Sequence, residues 1–293
     1  MEPRGQAAPA WAGMDRAARR EFVEAARDVT PYVAVESEGT FFVLPTGDKA
    51  GRDRFVKPVR TRWKERRHLT RALEALDRLG VPAARTTFVD VGAHIGTTAV
   101  GAVRWFGFGA AVAIEPEPEN LRLLRTNVAV NDLQGIVRIV DSAVADRTGT
   151  EELVVRRGFG TKHRLAGPSD GHKPTVSVSV TSLDALARSG TLEPEGVGML
   201  WLDVEGHELE VLRGARSVLE HAPPIVMEFA HRHLRKGRLE SLEELLAKRY
   251  THVLDLREPV EETPAVRPLS AMAAIAKRRK RGFTDLLVLR APA

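Results

Sequence analysis

Acidic side chains and an imidazole crowd together in the segment LWLDVEGHELEVLRGA, where an apolar run stops abruptly. Asp203, Glu205 and His207 follow that run and carry groups that can act as a general base or ligate a metal ion. Glu208 and Glu210 have a structural explanation, because acids in the first turn of a helix complement its dipole. We therefore expect reaction chemistry at the first three positions and helix stabilisation at the other two.

The end of a buried strand is a suitable place for a base to meet a substrate. The segment VGMLWLD predicts a strand that ends at Asp203, with Glu205 and His207 in the loop before the next helix. We rank Asp203 and Glu205 above His207 as the base or substrate-orienting residue. A surface position for His207 fits the sequence equally well.

A further strand-end carboxylate, Glu228, closes the predicted strand PIVMEF near the same opening. With Asp203 and Glu205 it offers hard oxygen ligands for a divalent cation, and His231 or His233 are additional candidates. A bound cation would lower the pKa of a hydroxyl and orient it. No compact ligand motif demands a metal, so a metal-free centre is the first expectation.

The segment FVDVGAHIGTTAV has the pattern of the nucleotide end of an open α/β sheet. A strand ends at Asp90, a turn carries Gly92 and Gly96, and a helix opens at Thr97. Glycines let a ligand approach the backbone, and the N–H groups of a helix start can hold an anionic group. The next strand ends at Glu115, whose carboxylate can accept hydrogen bonds from both hydroxyls of a ribose. The pattern predicts adenosine recognition.

The glycine spacing distinguishes between two adenosine cofactors. A dinucleotide site favours GxGxxG around the pyrophosphate, whereas this chain has GxxxG preceded by an acid. An acidic strand end suits the amino group and sulfonium of S-adenosylmethionine better than a pyrophosphate, which disfavours NAD. We assign to the S-adenosylmethionine site Asp90, Gly92, Ala93, His94, Gly96, Glu115, Asp141, Ser142 and Asp203.

Strands and helices alternate after residue 81, which predicts βαβ units and a mostly parallel sheet with helices on both faces. The strand segments are TTFVDV, AAVAIE, IVRIVD, VGMLWLD, PIVMEF, YTHVLDL and FTDLLVLR, which gives seven strands, and ELEVLRGARSVLEH is one helix. EELVVRR and TVSVSV flank a Gly- and Pro-rich loop over 156–174, which predicts a lid, a substrate clamp or simple disorder. Residues 81–293 are thus expected to form the cofactor-binding domain.

Residues 1–80 are expected to form an α/β cap in front of that domain, with a disordered N-terminal tip. The pattern predicts a helix over 14–29, two strands TFFVLP and RFVKPV around the turn TGDKAG, and a helix over 63–79 that Gly80 ends.

Composition narrows the possible functions. The 293 residues are 43% hydrophobic with a formal charge of +5, and cysteine is absent, which excludes disulfides and thiol nucleophiles. No apolar run reaches the roughly 20 residues that cross a bilayer, and no signal-like segment opens the chain, so a cytoplasmic protein without membrane contact is expected. Basic runs at 57–68 and 277–281 are interpreted as solvated surface; an anionic-substrate or nucleic-acid surface is the alternative.

The sequence resembles the FkbM-type methyltransferases in FVDVGAHIGTTA, IEPEPENLRLLRTN, VTSLDAL, LWLDVEGHELEVLRGA and PPIVMEF, and more faintly in FVKPVRTRWKERRHL. The likeness covers about Phe41 to Phe229. It departs from the family at Trp201, where many members carry Lys, and at His94, where Asn is common. The resemblance implies a Rossmann-like class I methyltransferase fold and S-adenosylmethionine-dependent O-methylation of a sugar, polyketide or other secondary metabolite.

Other functions stay open. The acceptor is expected to be a small molecule, glycosylated or anionic, and the oligomeric state is undetermined, with a homodimer as one alternative. A nucleic-acid methyltransferase is disfavoured, since DVEG replaces the Pro-Pro motif of base-amine enzymes and cytosine-carbon enzymes need a cysteine. An RNA ribose methyltransferase and a catalytically silent cofactor-binding module are the remaining alternatives.

Overall fold

A computed structural model gives the fold of most of the chain. It describes residues 14–56, 63–81, 86–155, 163–167, 171, 173–230, 237–259, 261, 264–278 and 283–291. Parts of both basic runs, most of the 156–174 loop, His231, His233 and the N-terminal tip lie outside the described residues.

In its described residues, the N-terminal cap combines a two-stranded sheet with three helices. Its elements are α1 (Arg16–Arg27), β1 (Tyr32–Ser37), β2 (Thr40–Pro45), α2 (Lys49–Val56) and α3 (Lys64–Arg78). The predictions of the first and last helix are confirmed within two residues at each end.

The strand predicted at RFVKPV is wrong, because its described part, Arg54–Val56, is the end of helix α2. The partner of β2 is instead β1, antiparallel to it, with Ser37 opposite Thr40. The two-residue turn between them has φ of 53° at Glu38 and 73° at Gly39. Positive φ at both central residues is the geometry that tight hairpins require. The dipeptide Glu-Gly marks this turn, but it is a weaker hairpin signal than Asn-Gly or Asp-Gly, so the sequence pattern did not reveal it.

The first half of the main domain alternates strands with helices as predicted. Its elements are β3 (Thr87–Val91), α4 (Thr97–Phe106), β4 (Ala110–Glu115), α5 (Pro118–Ala129) and β5 (Val137–Asp141). The strands β6 (Ala143–Val144), β7 (Gly149–Val154), β8 (Arg164–Leu165) and β9 (Thr175–Thr181) follow. In the described residues they form a separate four-stranded sheet with the order β6-β9-β7-β8.

The second half completes the main sheet. Its elements are α6 (Leu183–Arg188), β10 (Val197–Leu202), α7 (Glu208–Arg213), α8 (Arg216–Glu220), β11 (Ile225–Ala230), α9 (Arg238–Ala247), β12 (His252–Asp255), β13 (Arg267–Pro268), α10 (Met272–Lys277) and β14 (Phe283–Leu289). The helix predicted at ELEVLRGARSVLEH is two helices. A Cβ on Gly214 would lie 2.3 Å from the carbonyl oxygen of Ala145, so the chain bends there to pack on β6.

The main sheet has the order β13-β12-β14-β11-β10-β3-β4-β5. Strands β11, β10, β3, β4 and β5 are parallel, and β14 runs antiparallel to β11. The prediction of an α/β fold with a mostly parallel sheet is confirmed. The sheet has eight strands in the described residues instead of seven, because the short β13 pairs with β12.

Side-chain alternation divides the core between the two faces of the main sheet. Phe88, Trp201 and Val226 pack with residues of the cap in one cluster, whereas Val89 and Leu200 pack in another with the later helices. The cap thus covers one face and shares its hydrophobic core. Within the described part of the chain, no helix has the length and apolarity needed to cross a bilayer.

Two buried asparagines, one in α5 and one in the turn that follows it, fasten the cap hairpin to the domain. Asn127 Oδ1 accepts from the Val43 N–H at 2.6 Å and its Nδ2 donates to the Ile95 carbonyl at 2.8 Å. Asn131 exchanges hydrogen bonds of 2.9 and 2.7 Å with the backbone of Phe41. The amides therefore satisfy the free edge of β2 as a neighbouring strand would.

We predict that Asn127→Ala lowers the free energy of unfolding by about 2–4 kcal/mol, since it leaves a buried backbone N–H of the hairpin without a partner. Urea unfolding followed by circular dichroism measures the loss. Gln134→Ala, at an exposed site just beyond α5, is the control and should change stability by less than about 0.5 kcal/mol. Equal stability of the two variants would contradict the assigned docking role.

Candidate active site

A cavity of about 260 Å³ lies between the cap and the carboxyl ends of the central strands. Gly92, His94 and Glu115 line one part of it, and Asp203 and Glu228 line another. Strands β3 and β10 are neighbours in the main sheet, although six strands, β4 to β9, lie between them in chain order. The cavity therefore opens at the point where the strand order reverses, which is where open α/β sheets bind ligands.

The glycine turn after β3 brings the two halves of the sheet into backbone contact. Gly92 has φ of 86°, and a Cβ there would lie 2.2 Å from the carbonyl oxygen of Asp203. A Cβ on Gly96 would meet the side chain of Leu124 at 2.5 Å. The absence of Cβ atoms thus permits close packing of the protein at both positions, and the expected role of these glycines toward a ligand stays a prediction.

Glu115 presents a buried carboxylate to the cavity. Its oxygens accept from the His94 N–H at 2.8 Å, the Glu117 N–H at 3.0 Å and Asn120 Nδ2 at 3.2 Å. Burial raises its pKa to about 7, although these three donors oppose the shift. A carboxylate has about four lone-pair positions, so it can still accept from a ligand hydroxyl.

His94 adopts φ of 53°, a left-handed conformation that Asn tolerates better than most residues. This geometry gives a physical reason for the Asn that is common at this position in similar sequences. The same conformation turns the His94 N–H toward Glu115. The Glu115 carboxylate therefore holds the glycine turn, and the turn in return orients that carboxylate.

Asp90 is buried inside β3 and does not line the cavity. Burial raises its pKa to about 8, the N–H of Ala99 opposing and the charges of Glu115 and Glu65 adding to the shift. Asp90 is therefore mostly protonated at neutral pH, so it lacks the negative charge that we expected from the sequence. Asp141 likewise lies away from the cavity and pairs with Arg125 at 3.2 Å.

The residues assigned to the cofactor site thus fall into two groups. Gly92, Ala93, His94, Glu115, Ser142 and Asp203 line the cavity, whereas Asp90, Gly96 and Asp141 do not.

Three candidate reaction-centre acids converge. Asp203, Glu205 and Glu228 each place an oxygen within 4.8 Å of the others, the arrangement proposed for a metal site. Asp203 follows β10 directly, and its N–H donates to the Val91 carbonyl at 3.0 Å, which fixes it beside the glycine turn. The residue types and their placement fit either a base cluster or a cation site.

Lys64, which the sequence placed in a solvated basic run, reaches into this acid cluster. Its Nζ lies 3.0 Å from Glu228 Oε2 and 2.9 Å from Asp285 Oδ1. Burial opposes its charge, but Asp203, Asp285 and Glu228 outweigh that effect and raise the pKa of Lys64 above its ordinary value. Burial, together with Glu228, Asp285 and Glu205, raises the pKa of Asp203, although Lys64 opposes the shift.

The rest of the described basic run also serves internal contacts. Arg66 pairs with Glu38 at 2.9 Å and stacks on Trp105, and His68 is fully buried. Of the described residues 63–68, only Arg67 is exposed. The interpretation as a solvated helix face is therefore wrong for most of this stretch, and the stretch is no open basic surface either.

The loop after Asp203 has a strained backbone. Glu205 has φ of 50°, which is uncommon outside glycine, and Gly206 follows with φ of 100°. His207 lines the cavity, where burial lowers the pKa of its imidazole; Glu210 opposes this shift and nearby arginines add to it. Strained residues of this kind often mark functional loops.

Glu208 and Glu210 lie in the first turn of α7, as predicted. Glu208 is buried, accepts from the Gly206 N–H at 3.1 Å and has its pKa raised to about 7 by burial. Glu210 forms a bidentate ion pair with Arg238, with N···O distances of 2.6 and 2.7 Å. Both acids stabilise the loop by specific contacts beyond the helix dipole.

Several cavity residues were not recognised in the sequence. Arg54 of α2 lies 2.6 Å from Glu65, and its Nε and Nη1 are buried without a hydrogen-bond partner in the described structure. His163 and Arg164, from the described part of the 156–174 loop, also line the cavity. Trp201 lines it as well, and the lysine of this cavity is Lys64 from the cap. Asp285 does not line the cavity but pairs with Lys64, and its place as the lone acid in the apolar strand FTDLLVLR is a signal that could have identified it.

Comparison with known proteins relates this part of the chain to methyltransferases. The methyltransferase FkbM domain model matches residues 90–258, and no curated protein matches the chain significantly. A methyltransferase FkbM from Methylobacillus flagellatus KT is 18% identical over 69% of this chain, with a TM-score of 0.42. This chain covers 43% of that protein's length.

Two further solved structures are TYW2 proteins. That of P. horikoshii, in complex with MeSAdo, is 9% identical, with 97% of this chain and 86% of that chain covered and a TM-score of 0.42. That of M. jannaschii, in complex with AdoMet, is 12% identical, with 88% and 84% covered and a TM-score of 0.39.

Asp90→Asn should remove a pH-dependent penalty on the ligand-free protein. The pKa of Asp90 rises from 3.8 to about 8 on folding, so folding takes up a proton and stability falls as pH rises between these values. The variant should melt close to wild type at pH 4 and at least about 4 °C higher at pH 8. Thermal melts across this range measure the difference, and parallel curves for the two proteins would refute the shifted pKa.

Proposed function

Since the chain belongs to the FkbM methyltransferase family, we propose that it transfers a methyl group from S-adenosylmethionine to a hydroxyl group of a sugar or another secondary-metabolite small molecule. One observation carries the proposal: a single cavity joins the glycine turn and Glu115 to the acids Asp203 and Glu228. A nucleoside bound at the first end would thus lie beside the carboxylates at the second end, which can act as general bases.

The cavity residues fit the parts of S-adenosylmethionine. Glu115 would accept from the ribose hydroxyls, and Ser142 lies in the same part of the cavity. Arg54 has two buried nitrogens that lack partners, and Thr97 and Thr98 begin helix α4, so these residues would hold the carboxylate. When bound, S-adenosylmethionine supplies a methyl group on a sulfonium, which is a good leaving group.

The chain's own residues then have to hold the acceptor and take its proton. An aliphatic hydroxyl keeps its proton near neutral pH, so a base must accept it as the new bond forms. Asp203 is our first candidate for this role, because it lies at the strand end beside the glycine turn, and its raised pKa makes its ionised form a stronger base. Glu205 is the second candidate, and His207, whose pKa burial lowers, is the third.

The orienting groups surround that base. Glu228 can accept a hydrogen bond from an acceptor hydroxyl, and the Lys64 ammonium, 3.0 Å from Glu228, holds that carboxylate in place. Divalent cation binding by Asp203, Glu205 and Glu228 is the alternative way to orient the same hydroxyl.

Transfer of a tritiated methyl group to a panel of sugars, glycosides, macrolides and RNA tests the reaction. We expect label on a small hydroxylated acceptor, and turnover lowered about 10²–10⁴-fold in Asp203→Asn or Glu205→Gln with S-adenosylhomocysteine affinity near wild type. Glu220→Gln, at the exposed end of α8, is the control. Label on RNA alone would favour a ribose methyltransferase, and full turnover in both acid variants would remove them as bases.

Calorimetry tests the cofactor site independently of the acceptor. Wild type should bind S-adenosylhomocysteine, bind 5′-methylthioadenosine more weakly because it lacks the carboxylate, and not bind NAD. The neutral double variant Arg54→Gln/Glu65→Gln should lose about tenfold or more in S-adenosylhomocysteine affinity, with no change for 5′-methylthioadenosine.

Arg52→Gln is the matched control for this experiment, since Arg52 lies on the same helix and donates to the Thr46 carbonyl at 2.8 Å outside the cavity. A similar loss for both ligands in the double variant would assign Arg54 to structure alone. Binding of NAD without S-adenosylhomocysteine would overturn the cofactor assignment.

A further inference from the structure

The reaction-centre acids need a compensating cation. Asp203, Glu205 and Glu228 approach one another within 4.8 Å, and Asp285 lies opposite Glu228 on the neighbouring strand β14. Asp203, Glu228 and Asp285 face the cap. Trp201, Val226 and Leu287, each two residues from one of these acids, pack against the cap, and side chains two residues apart lie on the same face of a strand. Carboxylates gathered under an apolar cover are unstable unless a positive charge joins them.

Lys64 supplies a positive charge at this place. Its ammonium has three N–H donors, of which one faces Glu228 at 3.0 Å and another faces Asp285 at 2.9 Å. Asp203 is the acid whose charge acts on it most strongly. The ammonium therefore binds across the strand ends as a metal ion shared by these carboxylates would.

The cap holds this lysine in place. Trp63, the residue before it, is 2% exposed, packs on Phe42 with ring centroids 5.1 Å apart, and donates from Nε1 to the Arg54 carbonyl at 3.1 Å. One helical turn later, His68 places Nδ1 3.5 Å from Asp285 Oδ2. Helix α3 thus contacts both oxygens of Asp285, and the start of the helix cannot shift without breaking these contacts.

We propose that Lys64 is the resident cation of the reaction centre, which takes the place of a divalent metal ion and positions Glu228 and Asp203 for the acceptor. The proposal rests on the proposed function only in naming these acids as the reaction centre. Lys64 acts as a positioning residue through the acids, and the cap becomes part of the active site because it contributes the charge.

A manganese titration of the full chain tests this assignment. Wild type and Lys64→Arg, which keeps the charge, should show no saturable Mn²⁺ site by calorimetry or electron paramagnetic resonance. Lys64→Met should gain one site with an affinity at least about tenfold above wild type, because the carboxylates lose their compensating charge. The additional change Glu228→Gln should abolish the new site.

Lys49→Met, which removes an exposed lysine paired with Asp53, is the matched control and should behave as wild type. Turnover should fall in Lys64→Met, recover in Lys64→Arg and be insensitive to EDTA in wild type. Saturable Mn²⁺ binding by wild type that Glu228→Gln removes would overturn the proposal, whether or not Lys64→Met folds. So would a Lys64→Met protein with wild-type turnover and no Mn²⁺ site.

Binding of S-adenosylhomocysteine, measured in the same samples, reports on the proposed function separately. If the wild-type protein did not bind S-adenosylhomocysteine, the cofactor assignment would be contradicted. The manganese results, in contrast, depend only on the acids and Lys64.

Discussion

The ionic contact between Lys64 and the strand-end carboxylates is the interaction on which the active-site arrangement depends. Side-chain alternation places Asp203, Glu228 and Asp285 on the face that the cap covers. Burying three acids there without a cation would cost several kcal/mol, and removing one partner of such a cluster is usually worse than removing all. The position of helix α3 is therefore as important to the site as the strands themselves.

A second constraint is the backbone contact between the two halves of the sheet. Gly92 packs directly on the carbonyl of Asp203, so any side chain at residue 92 would push β3 and β10 apart. The same contact keeps the nucleotide end and the acid end within one cavity. Gly92 thus sets the distance between the two chemical parts of the site.

Much of the fold could be predicted because it depends on local periodicity. The alternation of apolar strands with amphipathic helices gave the parallel sheet and the strand ends that carry Asp203, Glu115 and Glu228. The errors occurred where contacts between distant segments override local pattern: RFVKPV, where β1 takes the place of the predicted partner strand, and the helix that bends at Gly214 to pack on β6. The cap boundary at residue 80 stays a prediction.

The sequence by itself determined which residues end the strands, because strand length and glycine turns are written in neighbouring positions. It could not determine their protonation or their partners. Asp90 has the same sequence signature as a cofactor-contacting acid, yet burial raises its pKa to about 8 and keeps it out of the cavity. Lys64 belongs to a basic run that resembles a solvated surface, yet it lies 3.0 Å from Glu228, 164 residues away. Burial and long-range charge pairing arise only when distant segments pack together, so only the tertiary structure decided them.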